Sequence, residues 1–371
     1  MIYPDFIIEK KDSQLKKYKF QNGIMNIVDP KINILTFRNI LYSIKEVSDF
    51  ETIKEIFLNF ESKSFQDQTS ILILEYILYF LIANNDLTIK ISFNELDKSH
   101  NLYDIFNQTT IFRCIDNFVL NNKDFIELFE EEFYKKQIIR KFIGVNKFID
   151  HKDRKKCPSN ILQQMNRFLN ENRISRNVSE NISQVISEIV DNILSHSEGN
   201  AVLFVSIGNN INNEIKNRLI NVSILNYSGP LISTLLKDKH VNNSLNQKSK
   251  EIIDNALKYH NLNFNDYYDE DSFYFISAFQ KNVSIRNLSN NGRGLPFLVK
   301  VLKNNAHKDE SYIISGKDKL ILDKNYLNLK SDGTIGFNES NDFYTDIPSF
   351  KLLKRNDFHF NANAYNLVFV D

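Results

Sequence analysis

Strand-like and helical segments alternate along this chain of 371 residues, and this alternation limits the possible folds more than any other feature. In the first part, residues 32–37 and 87–93 have the apolar pattern of strands, whereas residues 51–60 and 69–86 have helical spacing. Strands that are separated by helices are typical of an α/β fold. The sequence therefore predicts a small α/β domain over residues 1–150.

A charged segment, "DHKDRKKCPSN" at residues 150–160, interrupts the pattern of apolar residues. It contains a proline and lacks periodic apolar positions, which is typical of a connection between domains. A nucleic-acid-binding patch is the alternative interpretation, but the segment is short and includes two aspartates. We therefore predict a solvated linker at residues 151–158 and a second domain over residues 159–371.

The predicted second domain combines helices with strands. Residues 158–172 and 179–197 have helical patterns, and Asn177 or Ser179 is available as the N-cap of the second helix. The strand-like segments that follow are residues 201–208, 219–225, 311–316, 319–322 and 364–371. This order predicts an α/β sandwich, in which helices cover one face of a mixed sheet.

Composition and charge exclude several classes of function. The formal net charge is zero, from 46 basic and 46 acidic side chains, which gives no electrostatic reason to expect nucleic acid or an anionic membrane as a partner. Cys114 and Cys157 cannot build a disulfide framework and have no partner at metal-ligand spacing. No secretion signal is visible, and the most apolar run, residues 71–83, is too short to span a bilayer. We therefore expect a cytoplasmic protein with reduced thiols.

The helix that includes "EIVDNILSH" has one polar and one apolar face. At 3.6 residues per turn, the polar side chains fall on one arc, opposite an apolar arc; they are Glu188, Asp191, Asn192, Ser195 and His196. A solvated helix face is one interpretation. However, this face has no Lys or Arg, and Asp191 and Asn192 are poor helix formers in the middle of a helix. These two features favour a functional face.

A second helix follows two glycines in "NNGRGLPFLVKVLKNN". It is predicted to begin near Leu295, with Pro296 in its first turn, where a missing N–H group costs nothing. The free N–H groups of a first turn bind anions, and Gly292 and Gly294 allow the backbone to approach an anion closely. A tight turn without a ligand is the alternative interpretation.

These two helices, in this order, resemble motifs of the GHKL family of Bergerat-fold ATPases. "EIVDNILSH" resembles the N box of that family, and "NGRGLPFLVKVL" resembles the glycine box at the end of its ATP lid. The run-up "SAFQKNVSIRNLSNNGRGL" is similar as well. The box that contacts adenine is matched by "LNYSGPLI", residues 225–232, but with Asn226, Ser228 and Pro230 at positions that the family fills with Asp, Gly and Gly.

The resemblance implies a role for each matching residue. Asn192 would coordinate Mg²⁺, Glu188 would act as the catalytic base on a water molecule, and Asn226 would face the adenine amine. The expected cofactors are ATP and Mg²⁺. The residues that the resemblance assigns to ATP binding are Asn192, His196, Asn226, Gly229, Gly292, Arg293, Gly294 and Leu295.

Three functions agree with the resemblance. The first is a Mg-ATP-binding ATPase that acts as a conformational switch, with the polar stretch 233–290 as its lid. The second is an anti-sigma-like protein serine kinase, which would use the same residues. The third is a non-catalytic interaction protein with a decayed nucleotide site, which the degenerate adenine box favours and the intact Glu188 and Asn192 disfavour. The first domain resembles a STAS-like module, which implies a protein partner; a homodimer is a further option.

Overall fold

The computed structural model describes residues 18–21, 23–45, 55–62, 64–84, 87–93, 105, 107, 109–116, 119–144, 151–196, 200–209, 218–227, 229–283, 294–307 and 310–371. The chain divides into two compact units. The first unit comprises Met1–Phe142 with Asp357–His359, and the second comprises Ile143–Asn356 with Phe360–Asp371.

The first unit contains short strands and four described helices. Its strands are β1 (Phe20–Gln21), β2 (Ile24–Ile27), β3 (Lys31–Ile32), β4 (Glu55–Phe60), β5 (Ser64–Phe65), β6 (Thr88–Phe93), β7 (Ile115–Asp116), β8 (Val119–Leu120), β9 (Phe133–Lys135) and β10 (Ile138–Ile143). Its helices are α1 (Ile34–Lys45), α2 (Gln68–Asn84), α3 (Thr110–Cys114) and α4 (Asn122–Phe129).

A six-stranded sheet in the order β1-β2-β4-β6-β8-β7 organises the first unit. Its central strands β2, β4 and β6 are parallel. Parallel neighbours require crossover connections, which α1 and α2 supply. The predicted small α/β domain is therefore confirmed in its fold class.

A buried ion pair explains the single acidic residue of the apolar helix α2. Glu75 and Arg140 are each 1% exposed, and Glu75 Oε2 lies 2.6 Å from Arg140 Nη1. Glu75 Oε1 also accepts a hydrogen bond from the backbone N–H of Thr110. Among the described residues, no helix is both long and apolar enough to cross a membrane.

Two element predictions in this unit are wrong, and two are confirmed. Residues 69–86 and 87–93 form α2 and β6 as predicted. The predicted strand at residues 32–37 is instead mostly helix, because the Asn33 side chain accepts hydrogen bonds from the N–H groups of Leu35 and Thr36 and starts α1 at Ile34. The predicted helix at residues 51–60 contains β4, whose buried side chains recur with a period of two.

The second unit begins with two helices and continues with strands and helices in turn. Its helices are α5 (His151–Glu171), α6 (Arg176–His196), α7 (Ile232–Val241), α8 (Gln247–His260), α9 (Glu270–Ser277) and α10 (Gly294–Asn305). Its strands are β11 (Ala201–Asn209), β12 (Arg218–Asn226), β13 (Tyr312–Ile321) and β14 (Leu353–Val370).

The strands of the second unit lie in the order β13-β14-β12-β11, and every pairing among them is antiparallel. The two strands predicted at residues 311–316 and 319–322 form one strand, β13 (Tyr312–Ile321), which has a register shift at Gly316 rather than a break. β14 begins eleven residues before the segment 364–371 in which the sequence predicts a strand.

The predicted linker at residues 151–158 is helical and forms the beginning of α5. Its charged residues are compatible with a helix, and Pro158 is accommodated inside it. The N-cap predictions for the next helix are also wrong, because α6 already begins at Arg176. Ser179 is buried within the helix, and its hydroxyl donates to Asn166 Oδ1 at 2.7 Å.

The polar stretch at residues 233–290 is not a loop over its described part, residues 233–283. Helices α7, α8 and α9 account for most of it, with side-chain N-caps at Asn246 and Asp269. These helices and the segment between β13 and β14 share one core of aromatic side chains. The buried rings of this core include Phe273, Phe275, Phe279, Phe337 and Phe343.

Candidate functional site

The two faces of α6 are arranged as predicted. Its apolar face is buried, with Ile186, Ile189, Val190, Ile193 and Leu194 each at most 4% exposed. Glu188, Asp191 and Asn192 are only partly buried, and Ser195 is exposed. Packing against α5 and α10 therefore leaves the polar residues of α6 at the edge of the helix contact.

The start of α10 lies directly against this polar edge. A methyl group built on Gly294 would be 3.1 Å from Asn192 Nδ2 and 3.5 Å from Glu188 Oε2. A larger residue than glycine would push against both side chains. The structure thus brings together Glu188, Asn192 and Gly294, which the sequence analysis selected from two separate motifs.

Helix α10 begins at Gly294, one residue before the predicted start, with Pro296 in its first turn. Leu295 and Pro296 are buried, and the apolar stripe continues with Leu298, Val299 and Leu302, each 0% exposed. This stripe holds the helix in place while its N-terminal end stays at the polar edge of α6. The N–H groups at that end have no carbonyl partner one turn earlier in the helix, so they are donors for an anion.

Four positions of the predicted motifs lie wholly or partly outside the described residues. Gly292 and Arg293 lie outside the described residues, as does Ser228 of the adenine box. His196 is the last residue of α6, and its side chain also lies outside the described part of the chain.

Contacts at both ends hold α6 in position. At its beginning, the backbone N–H of Ser175 donates to the Asp371 carboxylate at 2.9 Å. Near its end, the Arg154 guanidinium donates to the carbonyl oxygen of Leu194, and the Ser187 hydroxyl donates to that of Pro158 at 2.9 Å. No local sequence pattern indicates these contacts, since each joins residues that are far apart in the chain.

A second group of predicted residues lies where β12 ends. Asn226, its last residue, pairs with Asn363 on β14, and Asn363 pairs with Ser315 on β13. Directly opposed residues of antiparallel strands have their side chains on the same face. We call Asn226, Asn363 and Ser315 the polar row; they are 4%, 3% and 2% exposed.

Two members of the polar row are fully engaged in hydrogen bonds. Asn363 Oδ1 accepts from the Ser315 hydroxyl at 2.7 Å and from the backbone N–H of Ile232 at 3.3 Å. Asn363 Nδ2 donates to the carbonyl oxygen of Pro230 at 3.0 Å. These bonds attach the chain around Pro230, and the first residue of α7, to the sheet.

Asn226 is different, because its Oδ1 atom is buried and has no hydrogen-bond partner within the described structure. Its neighbour on the other side in the sheet is Ala201, which offers no polar side chain. A buried acceptor without a donor costs about 1–3 kcal/mol. Gly229, which the resemblance also assigned to ATP binding, is buried three residues farther along the chain.

Asn363 and Ser315 were missed by sequence reasoning. The available signal was the presence of polar residues among the apolar positions of two strand-like segments, "SYIISG" and "NANAYNLVFVD". Such residues are buried only when they have hydrogen-bond partners. The register that brings them beside Asn226 depends on the folded sheet.

The described residues hold no preformed metal cage. No group of three or more His, Cys, Asp or Glu residues among them could bind a metal ion. A metal at Asn192 would therefore take most of its ligands from water and from a bound molecule. Neither Cys114 nor Cys157 forms a disulfide, and burial raises the pKa of Cys114 to about 12, so this thiol is protonated at neutral pH.

Comparison with protein-family models, with curated proteins and with solved structures gave no match to this chain.

Proposed function

We propose that the second unit binds Mg-ATP and hydrolyses it, as a GHKL-type ATPase that acts as a nucleotide-driven switch. The observation that carries this proposal is the contact of Gly294 with Asn192 and Glu188. In the resemblance, these three positions surround the phosphates of one nucleotide. Gly294 belongs to α10 and the other two residues to α6, so the contact between the two helices is not a consequence of sequence spacing.

The donor set at this edge fits Mg²⁺. The ion prefers oxygen ligands, keeps several waters and typically uses only one or two protein groups together with substrate phosphates. Asn192 offers a carboxamide oxygen, and a bound ion there would neutralise negative charge on the phosphates.

The phosphates would lie at the start of α10. Gly294 has no side chain, so a phosphate oxygen can approach the first N–H groups of the helix. The partial positive charge of a helix N-terminus stabilises the anion further. The buried stripe from Leu295 to Leu302 fixes the direction of these donors.

Glu188 would take a proton from the attacking water. It lies one turn before Asn192 on α6, and both contact the same end of α10. A carboxylate in this place can accept a hydrogen bond from water and orient it toward the terminal phosphate. The same residues would serve a protein serine kinase, in which a serine hydroxyl replaces the water.

Asn226 would bind the base. Its buried Oδ1 lacks a donor, and the exocyclic amine of adenine supplies one. The adjoining Asn363 holds the first N–H group of α7, so a bound base would lie beside the origin of that helix. Helices α7 to α9, which make up most of the proposed lid, would then change position when nucleotide binds.

Two substitutions on α6 test the proposal. Asn192→Ala should weaken Mg-dependent binding of ATP, because a metal ligand is lost. Glu188→Ala should bind ATP nearly normally and hydrolyse it about 10²–10⁴-fold more slowly, since a positioned base is lost. Calorimetry measures the first effect, and the rate of phosphate release measures the second. Formation of phosphoprotein in place of free phosphate would indicate the protein kinase.

Matched controls lie on the same helix. Asn181→Ala and Glu180→Ala make the same chemical changes about two to three turns earlier, where Glu180 forms only an exposed ion pair with Arg176. Both controls should retain binding and turnover. A wild-type protein that binds no ATP at millimolar concentration with Mg²⁺ would refute the proposed function, and a Glu188→Ala protein with wild-type turnover would refute the role of Glu188.

A further inference from the structure

The carboxamide oxygen of Asn226 has no hydrogen-bond partner among the described residues, unlike that of its neighbour Asn363 in the polar row. Asn363 could not be inverted without placing its nitrogen against the N–H group of Ile232 and its oxygen against the carbonyl of Pro230. Asn226 Oδ1, in contrast, has no hydrogen bond to lose. A half-turn about the last side-chain bond exchanges the donor and the acceptor of an asparagine. Asn226 can therefore present either group to a ligand.

The polar row is also electrically neutral. Asn226, Asn363 and Ser315 carry no charge, and Ala201 closes the row on the side of β11. A buried carboxylate at position 226 could only accept hydrogen bonds. A carboxamide there can form hydrogen bonds with one donor and one acceptor of a ligand, whichever of its two sides faces each of them.

Purine bases differ in this order at positions 1 and 6. Adenine has a donor at the 6-amino group and an acceptor at N1. A 6-oxopurine has an acceptor at O6 and a donor at N1. Each edge forms two hydrogen bonds with a carboxamide, provided that the carboxamide turns over between them.

We infer that the base site selects the purine edge without selecting the 6-substituent, so that it accepts 6-oxopurine nucleoside triphosphates as well as ATP. This inference rests on the proposed function, because it places the base at Asn226. Asn226 is then the residue that determines base specificity, through its neutral and reversible carboxamide.

A series of three nucleotides tests this inference on the unmodified full-length protein. ATP and inosine triphosphate should bind with dissociation constants within about fivefold, because each forms two hydrogen bonds with Asn226. Purine riboside triphosphate, which has no group at position 6, should bind at least about tenfold more weakly, since one hydrogen bond to a buried polar group is lost. Titration calorimetry with Mg²⁺ measures all three.

A pair of substitutions on β12 identifies the residue that reads the base. Asn226→Leu keeps a similar shape and removes both hydrogen bonds, so it should weaken ATP and inosine triphosphate by the same factor, about tenfold or more. Asn221→Leu is the matched control; it lies five residues earlier on the strand, on the opposite face, and is only partly buried. It should leave both affinities unchanged.

The outcomes separate this inference from the proposed function. Absence of binding for all three nucleotides would refute the nucleotide site itself. Binding of ATP with rejection of inosine triphosphate by about 100-fold would keep the site and refute the relaxed specificity. Equal binding of purine riboside triphosphate and ATP, or wild-type affinities in Asn226→Leu, would show that Asn226 does not contact the base. If Asn226→Leu fails to fold, the three-nucleotide series still decides between these results.

Discussion

Replacement of Gly294 by alanine tests the contact on which the proposed site depends. The new methyl group would lie 3.1 Å from Asn192 Nδ2, whereas uncrowded carbon contacts lie at roughly 3.5–4.0 Å. The Asn192 amide must therefore move by about 0.4 Å or more. Glu188 Oε2, at 3.5 Å, is at the limit of ordinary contact and need move little.

The size of the effect follows from the demands of the metal. Mg²⁺ requires near-ideal octahedral geometry with ligands at about 2.0–2.1 Å, and the contact of a polar group with a charge is worth about 1.5 kcal/mol, or roughly tenfold in affinity. A displacement of about 0.4 Å should then weaken Mg-dependent ATP binding by roughly five- to tenfold. The fold should not suffer, because alanine favours a helix over glycine by up to about 1 kcal/mol.

The assay combines ATP titration, with and without Mg²⁺, and thermal unfolding. Gly208→Ala is the matched control, since a methyl group there meets nothing within 4 Å and the residue lies in the same unit. We expect Gly294→Ala to retain its melting temperature and lose Mg-dependent affinity, while Gly208→Ala retains both. Unchanged affinity in Gly294→Ala would refute the idea that Gly294 and Asn192 hold one ligand together.

Two further predictions concern buried charges outside this contact. Arg140→Ala leaves Glu75 buried without its ion-pair partner and should lower the free energy of unfolding, measured with denaturant, by about 3–5 kcal/mol. Arg113→Ala, at a partly exposed ion pair, is the control and should lower it by less than about 1 kcal/mol. Equal losses in the two proteins would show that burial of the Glu75–Arg140 pair does not matter for stability. Burial raises the pKa of Asp318 from 3.8 to about 7, so the folded state binds its proton more tightly than the unfolded state does. Its stabilising contribution is complete below about pH 3.8 and is lost as the pH rises to about 7. Asp318→Asn should therefore reduce the loss of melting temperature between pH 5 and pH 8, and parallel pH profiles of the two proteins would refute this assignment.

The parts of the fold that the sequence predicts are those with a strong local pattern. Helix α2 was recognised from a continuous apolar run, and α6 from two opposite faces of different polarity. Gly294 and Pro296 located the start of α10 to within one residue. In each case, neighbouring positions along the chain contain the information, so the rest of the structure is not needed.

The errors arise where distant contacts decide the structure. The segment "EIFLNF" can be read with either period, and its parallel neighbours β2 and β6 make it a strand. Helix α8 buries Ser249, Ala256 and His260 among its inward-facing residues, so it lacks a clear apolar stripe. Its N-cap signal, Asn246 three residues before Ser249, was present in the sequence and would have indicated a helix.

The polar row bears on whether the nucleotide site is decayed. From the sequence, Asn226 was a departure from the family pattern and favoured a site that had lost its function. In the fold, that residue keeps an acceptor buried without a partner, at a cost of about 1–3 kcal/mol to the free protein. Because stabilising substitutions are readily found where function does not oppose them, a position without function would more readily hold an apolar residue. We therefore propose that a ligand completes the carboxamide of Asn226, whose oxygen is the one acceptor of the polar row without a partner among the described residues.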